Sequence, residues 1–325
     1  MLSKALSSAI AIFIFVAFAQ AETLQLELPL VCTLGETCWI QQYAEHGNAS
    51  GGNDYMCGRE TYAGHDGTDF RALNAQADIA VVAAAPGVVK AIRDGVEDKL
   101  ALSPQDLAAV AHKECGNGVV IAHTGGFETQ YCHMRLGSVK VKAGDIVQAG
   151  TVLGKVGYSG AAAFAHLHLS VRHNGEKIDP FSGPLAEGCD GSKTSLWSTS
   201  ATNSMRYSAV DVLEMGWAES AVSVEQAELG IERNTKLATS SPSIVAFGRL
   251  IHLRQGDELE ITVDGPTGSI ATNTIRLDHD KAEEIIFAGA KAQGHWAAGL
   301  YHARLLVRRD GKTIVDQASD MTLDQ

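Results

Sequence analysis

Three imidazoles and a carboxylate stand in two short stretches about a hundred residues apart. One is Gly64-His65-Asp66-Gly67-Thr68-Asp69-Phe70, and the other is Ala165-His166-Leu167-His168-Leu169. An isolated Tyr131-Cys132-His133 lies between them. Zinc is bound mostly by His, Cys and Asp/Glu, and a catalytic site needs three protein ligands plus an open position for water. This set supplies three ligands and leaves two histidines for proton chemistry, which points to a hydrolase.

Each part alone is weak. On a strand, residues i and i+2 share a face and sit ~6.6–6.8 Å apart, so His166 and His168 can line one cleft. A solvated strand face would hold them equally well. His65 and Asp69 are flanked by Gly64 and Gly67, each costing a helix ~1 kcal/mol relative to Ala. A loop leading into a strand fits better and can bring imidazole and carboxylate together. Taken singly, Asp69 reads as a turn cap, His65 as solvated, and His133 as a histidine bonded to backbone. His123 reads as structural. His46, His112, His173, His252, His279, His295 and His302 have no partner pattern and read as surface or packing.

The elements that must position these residues are short strands. Ile79–Ala83, Gly87–Ile92, Val119–His123 and Thr129–His133 are β-rich and bounded by Pro, Gly or turn signals. Val139–Gly157 alternates apolar residues with glycine turns and reads as tightly turned β structure. One helix is expected from Ser103 to His112, with Ser103 as N-cap and Pro104 at the first helical position. Residues 22–58 read as loop-rich, and 182–206 as a Gly/Ser/Thr-rich boundary. Beyond it, strands recur at short spacing, as at Ser243–Leu253, Glu258–Val263 and Leu300–Arg308. Asp310-Gly311 is a hairpin signal. The pattern predicts an all-β sandwich.

The ends and composition narrow the setting. Lys4, the apolar run Ala5–Phe18 and Ala19-Gln20-Ala21 read as a secretory signal over residues 1–21. That run is short for a membrane span, which needs ~20 apolar residues. No membrane span is expected in the mature chain. A net charge of −12 with no basic stripe argues against nucleic-acid binding. Six cysteines behind an export signal predict disulfides. Cys115 and Cys132 flank two strands expected to pair, Cys32 and Cys38 close a small loop, and Cys57 with Cys189 follows by elimination.

The order of the motifs is more specific than any part. Gly-His-x-Gly-x-Asp-Phe, Tyr-x-His, Val-Gly-x-Ser-Gly and His-x-His-Leu follow one another. Over roughly residues 60–181 the chain resembles the lysostaphin-type zinc metalloendopeptidases, which cut peptide links in bacterial peptidoglycan. The resemblance implies His65, Asp69 and His168 as Zn²⁺ ligands and His133 and His166 as catalytic histidines. It implies a mostly β fold, with a catalytic domain of antiparallel sheets of the barrel-sandwich hybrid type. To this the strand pattern adds a C-terminal immunoglobulin-like β-sandwich. The divisions expected are signal peptide 1–21, N-terminal segment 22–58, metallopeptidase domain 59–185, linker 186–206 and accessory sandwich 207–325. The partner implied is a peptidoglycan peptide, and the location exported, periplasmic or extracellular. Ala165 replaces the proline often found there in the family, and Leu169-Ser170 replaces an aromatic-acidic pair. Neither change removes a ligand, but both bear on cleft shape.

A zinc ion with three protein ligands lowers the pKa of bound water toward ~7 and polarises a carbonyl. An imidazole can take a proton at neutral pH. Two other readings compete. A non-catalytic peptidoglycan-binding or amidase-activating protein would use the same cleft without cutting. A lipoyl-type carrier would use the glycine-turned run, but Lys140, Lys142 and Lys155 do not sit at a hairpin tip between two halves.

Overall fold

The computed structural model describes residues 24–47, 52–185, 189, 195–231 and 237–324. The expected signal segment 1–21 lies outside the described residues. Among those described, no helix is long and apolar enough to cross a membrane.

The first half forms β1 (Cys38–Gln42), β2 (Thr68–Ala72), β3 (Ala80–Val82), β4 (Gly87–Arg93), β5 (Asn117–Ala122) and β6 (Phe127–Met134). Short strands β7 (Ile146–Val147) and β8 (Val152–Lys155) follow, then β9 (His166–His173), β10 (Glu176–Asp179) and β11 (Gly183–Pro184). The large antiparallel sheet runs β1-β2-β9-β6-β5-β4-β7, with β10 on β9 and β11 on β10. A separate pair, β3-β8, lies across its buried face. Phe70, Val119, Ile121, Tyr131, Leu153, Leu167, Leu169 and Val171 fill the core between them. Each such side chain contributes ~1.5–3 kcal/mol when fully buried.

The second half holds β12 (Asp211–Ala218), β13 (Ser243–Leu253), β14 (Glu258–Gly265), β15 (Gly268–Arg276), β16 (Lys281–Lys291), β17 (Gly299–Arg309) and β18 (Lys312–Leu323). They form a three-stranded sheet, β12-β13-β16, and a four-stranded sheet, β15-β14-β17-β18. The two sheets enclose a second core containing Leu250, Ile261, Ile286, Leu305 and Val307. The fold is therefore mostly β, built from antiparallel sheets. Asp310 and Gly311 both adopt positive φ, 51° and 74°, in the β17–β18 turn. That is the two-residue hairpin geometry their sequence signals.

Helix α1 (Pro104–Ala109) has Ser103 as N-cap, closed by a capping box with Asp106. It ends before the expected His112: Val110 already leaves the helical path as C-cap (φ −107°, ψ 13°), and His112 then adopts positive φ (65°). Helices α2 (Thr199–Ser204) and α3 (Val224–Leu229) were not legible in the pattern. Each is six residues long, too short to show helical periodicity. Trp197, Ala201 and Met205 pack into the first core, so residues read as linker help close it. The segment expected to be loop-rich contributes β1 and the buried Leu24, Leu26 and Leu30.

Three disulfides pair Cys32 with Cys38, Cys57 with Cys189 and Cys115 with Cys132. These are the expected pairings.

Candidate metal centre

His65, Asp69 and His168 come together where β2 meets β9, with Asp69 opposite His168 in the ladder. One ligand atom from each lies within 4.8 Å of the others. His65 Nε2 stands 3.1 Å from Asp69 Oδ1 and 3.2 Å from His168 Nδ1. His168 Nδ1 stands 2.8 Å from Asp69 Oδ1. The edges of a tetrahedron around zinc with ~2.0–2.1 Å bonds are ~3.3 Å long, close to these separations.

The second nitrogen of His65 explains its orientation. His65 Nδ1 lies 2.7 Å from the Tyr43 carbonyl oxygen. A carbonyl only accepts, so Nδ1 carries the proton and the Nε2 lone pair points at the Asp69 carboxylate. This pair is satisfied by a metal ion between them or by a second proton on the ring, and the donor set fits zinc. His168 is held from the other side. Its Nε2 is 3.0 Å from Asp66 Oδ1 and 2.9 Å from Ser170 Oγ. Asp66 also pairs with Lys177. Metal-binding histidines are commonly fixed by a carboxylate on the far nitrogen. Asp66 was missed in the sequence, although it sits inside the first motif.

Charges follow this geometry. Burial alone would raise the Asp69 carboxyl, but His65, His166 and His168 hold it well below the usual carboxylate range. Burial opposes protonation of His168, yet hydrogen bonds to Asp66 and Asp69 push it up to about 9.

The other two histidines point into the same space. The ring centroids of His133 and His166 are 4.6 Å apart, and those of His133 and His168 are 6.0 Å apart. His133 Nδ1 donates to the Ser159 carbonyl at 2.8 Å, and His166 Nδ1 to the Phe164 carbonyl at 2.8 Å. Each therefore keeps an Nε2 lone pair. Burial, reinforced by neighbouring imidazoles, lowers both pKa values, that of His133 well below the ordinary 6.5.

His133 reaches the cleft through a local irregularity. Tyr131 is fully buried, so strict alternation along β6 would turn His133 toward the core as well. The β5–β6 register slips between Asn117 and Val119, and His133 takes φ 61°. Such a bulge re-aims a side chain. Ser159, of the Val156-Gly157-Tyr158-Ser159-Gly160 motif, holds the re-aimed ring. Tyr62, also missed in the sequence, stacks on His65 with centroids 4.5 Å apart. His123 is structural here, bonded to the Pro86 carbonyl and Thr129 Oγ1 at 2.7 and 2.8 Å.

A β scaffold presenting this donor set is the layout of a metallopeptidase. Residues 63–180 match the model of Peptidase family M23, and this part of the chain is a peptidase M23 domain. The DD-carboxypeptidase/endopeptidase Mpg of Neisseria meningitidis serogroup B is 40% identical over 70 residues, 22% of this chain. The same holds for Mpg of Neisseria gonorrhoeae. The chain matches only 16% of the length of these curated relatives. Among solved structures, the catalytic domain of the antimicrobial peptidase lysostaphin from Staphylococcus simulans aligns at 22% identity. That alignment covers 43% of this chain and 85% of that one, with a TM-score of 0.27.

Proposed function

We propose that the protein is an exported zinc endopeptidase that hydrolyses peptide bonds in bacterial peptidoglycan cross-links or stem peptides. The observation that carries this reading is the convergence of His65 Nε2, Asp69 Oδ1 and His168 Nδ1 beside two further imidazoles in one cleft. Zinc, when bound by these three residues, supplies Lewis acidity toward a carbonyl oxygen and makes water a better nucleophile at neutral pH.

The chain's own groups do the rest. His133 and His166 are kept neutral by burial and fixed in one tautomer by the Ser159 and Phe164 carbonyls. Either Nε2 can accept a proton from the attacking water and return it to the leaving amine. The ring that has taken the proton is a cation beside the developing oxyanion and stabilises it. Asp66 and the Tyr43 carbonyl keep two ligand rings from rotating. Three disulfides support an oxidising, exported setting. In this reading residues 59–185 are the catalytic domain and 207–325 an accessory β-sandwich.

The test is mass spectrometry of muropeptides released from purified cell wall by zinc-loaded protein. New amino termini at one bond type are expected. Wall binding without new termini, with zinc at one per chain, would replace this reading by the non-catalytic one.

A further inference from the structure

Arg172 lies in line with the metal-site histidines. His166, His168, Ser170 and Arg172 occupy alternate positions of β9, so their side chains leave the same face. Behind it, Leu167, Leu169 and Val171 are fully buried in the core. His168, Ser170 and Arg172 line one cleft with Gln130, His133 and Arg93. Four residues of strand place Arg172 about 13 Å from His168 along the groove.

The state of this guanidinium is unusual for a chain of net charge −12. Its hydrogen-bond partner is neutral: Nη2 donates to Gln130 Oε1 at 2.6 Å. The carboxylate opposite it in the ladder, Glu128, is engaged by Lys90 instead. Lys177, the neighbour of Arg172 on β10, is paired with Asp66. Glu128 and Asp66 are thus taken by other cations, and Arg172 keeps most of its five donors for something else. Arg93, at the end of β4 in the same sheet, lines the cleft with Glu114, which accepts the His112 amide at 2.8 Å.

We propose that Arg172, assisted by Arg93, forms a subsite for a carboxylate of the peptide substrate. It sits a few residues from the bond that is cut. The planar guanidinium matches a carboxylate in two parallel hydrogen bonds. An extended peptide advances ~3.3–3.6 Å per residue. With the scissile carbonyl at His168, the recognised carboxylate lies about two to four residues away. It belongs to an acidic side chain or to the peptide's C-terminus. This proposal rests on the peptidase reading and names the substrate class for the same cleft.

The test uses zinc-loaded full-length protein and three synthetic peptides. They differ only in bearing a side-chain carboxylate, a C-terminal carboxylate, or carboxamides at both places. Both kcat/KM and Kd are measured. One carboxylate peptide is expected to be favoured over the carboxamide by about 10-fold or more, and which one identifies the source. In Arg172→Gln that ratio falls to about one, and Arg172→Lys restores part of it. Zinc content and the unfolding midpoint report that the variants are intact. A ratio unchanged in Arg172→Gln, or no preference in the wild type by either measure, would overturn the subsite. If no peptide is cut, the peptidase reading fails, and the Kd ratios still decide the subsite.

Discussion

The amide of Ala165 donates to Glu228 Oε1 at 2.6 Å. One partner immediately precedes His166, and the other lies on α3, between the first two strands of the second half. The other oxygen of Glu228 accepts from Arg71 and Arg249. Both arginines are fully buried and also bond Glu283. Arg71 faces His166 in the β2–β9 ladder and lies 4.8 Å from the centre of the Phe164 ring. Two positive and two negative groups thus join the C-terminal strands to the start of β9. Removing one member of a buried pair leaves an uncompensated charge and costs ~3–5 kcal/mol. Glu228→Ala is expected to lower unfolding stability by about that amount, measured in urea. Glu228→Gln, which still accepts the Ala165 amide, should lose less. Equal stability of Glu228→Ala and wild type would show that the cluster does not hold the junction.

Ligands and proton-transfer residues separate by mutation. Substitution of His65, Asp69 or His168 by Ala should abolish stoichiometric zinc, read by elemental analysis after dialysis. His133→Ala and His166→Ala should retain most zinc and lose turnover by ~10²–10⁴. Zinc lost from both of the latter would mean that the ligands are wrongly assigned. In the wild type, chelator should remove activity and added Zn²⁺ restore it.

Gly67 is needed for space. A Cβ there would stand 2.6 Å from His168 Nε2 and 2.6 Å from the Leu169 carbonyl oxygen. The carbonyl belongs to the β2–β9 ladder and yields little, so the backbone at residue 67 must shift away from it and the imidazole must move too. Gly67→Ala is expected to weaken zinc binding ~10–100-fold, the usual effect of disturbing groups around a ligand. A competitive chelator titration measures it, and an unchanged affinity would refute the crowding.

The junction should also respond to pH. His252 on β13 is buried, with Nε2 2.9 Å from the Gln41 carbonyl oxygen and Nδ1 3.3 Å from Asp211 Oδ2. Burial opposes its charge, but Asp211 and Glu60 outweigh that and raise its pKa above 6.5. A folded pKa above the unfolded one means that the folded state holds the proton more tightly. The stabilisation is complete below ~6.5 and is lost as pH rises through the folded value. The urea midpoint should fall from pH 6 to pH 9 more steeply in wild type than in His252→Gln. Parallel slopes would exclude this coupling.

Sequence and structure agree where one residue type dictates one local geometry. The i, i+2 spacing of His166 and His168 suits one face of a strand, as found in β9, Asp310-Gly311 signals its hairpin, and Ser103-Pro104 signals the start of α1. Of the cysteine pairs, Cys115–Cys132 is expected from strand pairing, Cys32–Cys38 from a small loop, and Cys57–Cys189 only by elimination. What stayed hidden depends on contacts between distant segments. Nothing local says that Tyr43 would offer its carbonyl to His65, or that Glu228 would reach Ala165. Asp66 was visible but ambiguous, because only folding shows that it meets His168 rather than water. The turn of His133 into the cleft was illegible too, since a bulge breaks the alternation on which strand reading depends.

The tautomer of His65 is set by Tyr43, and the amide before His166 is held by Glu228. Both partners lie outside the 63–180 span that carries the family signature. The signature is therefore not a transplantable cassette. An excised fragment with those borders would keep the three proposed ligands and the two proposed proton-transfer imidazoles, yet lose a bond at each end of the site. A swap of this region between related chains should carry both flanks, because here the working unit is wider than the stretch by which its family is recognised.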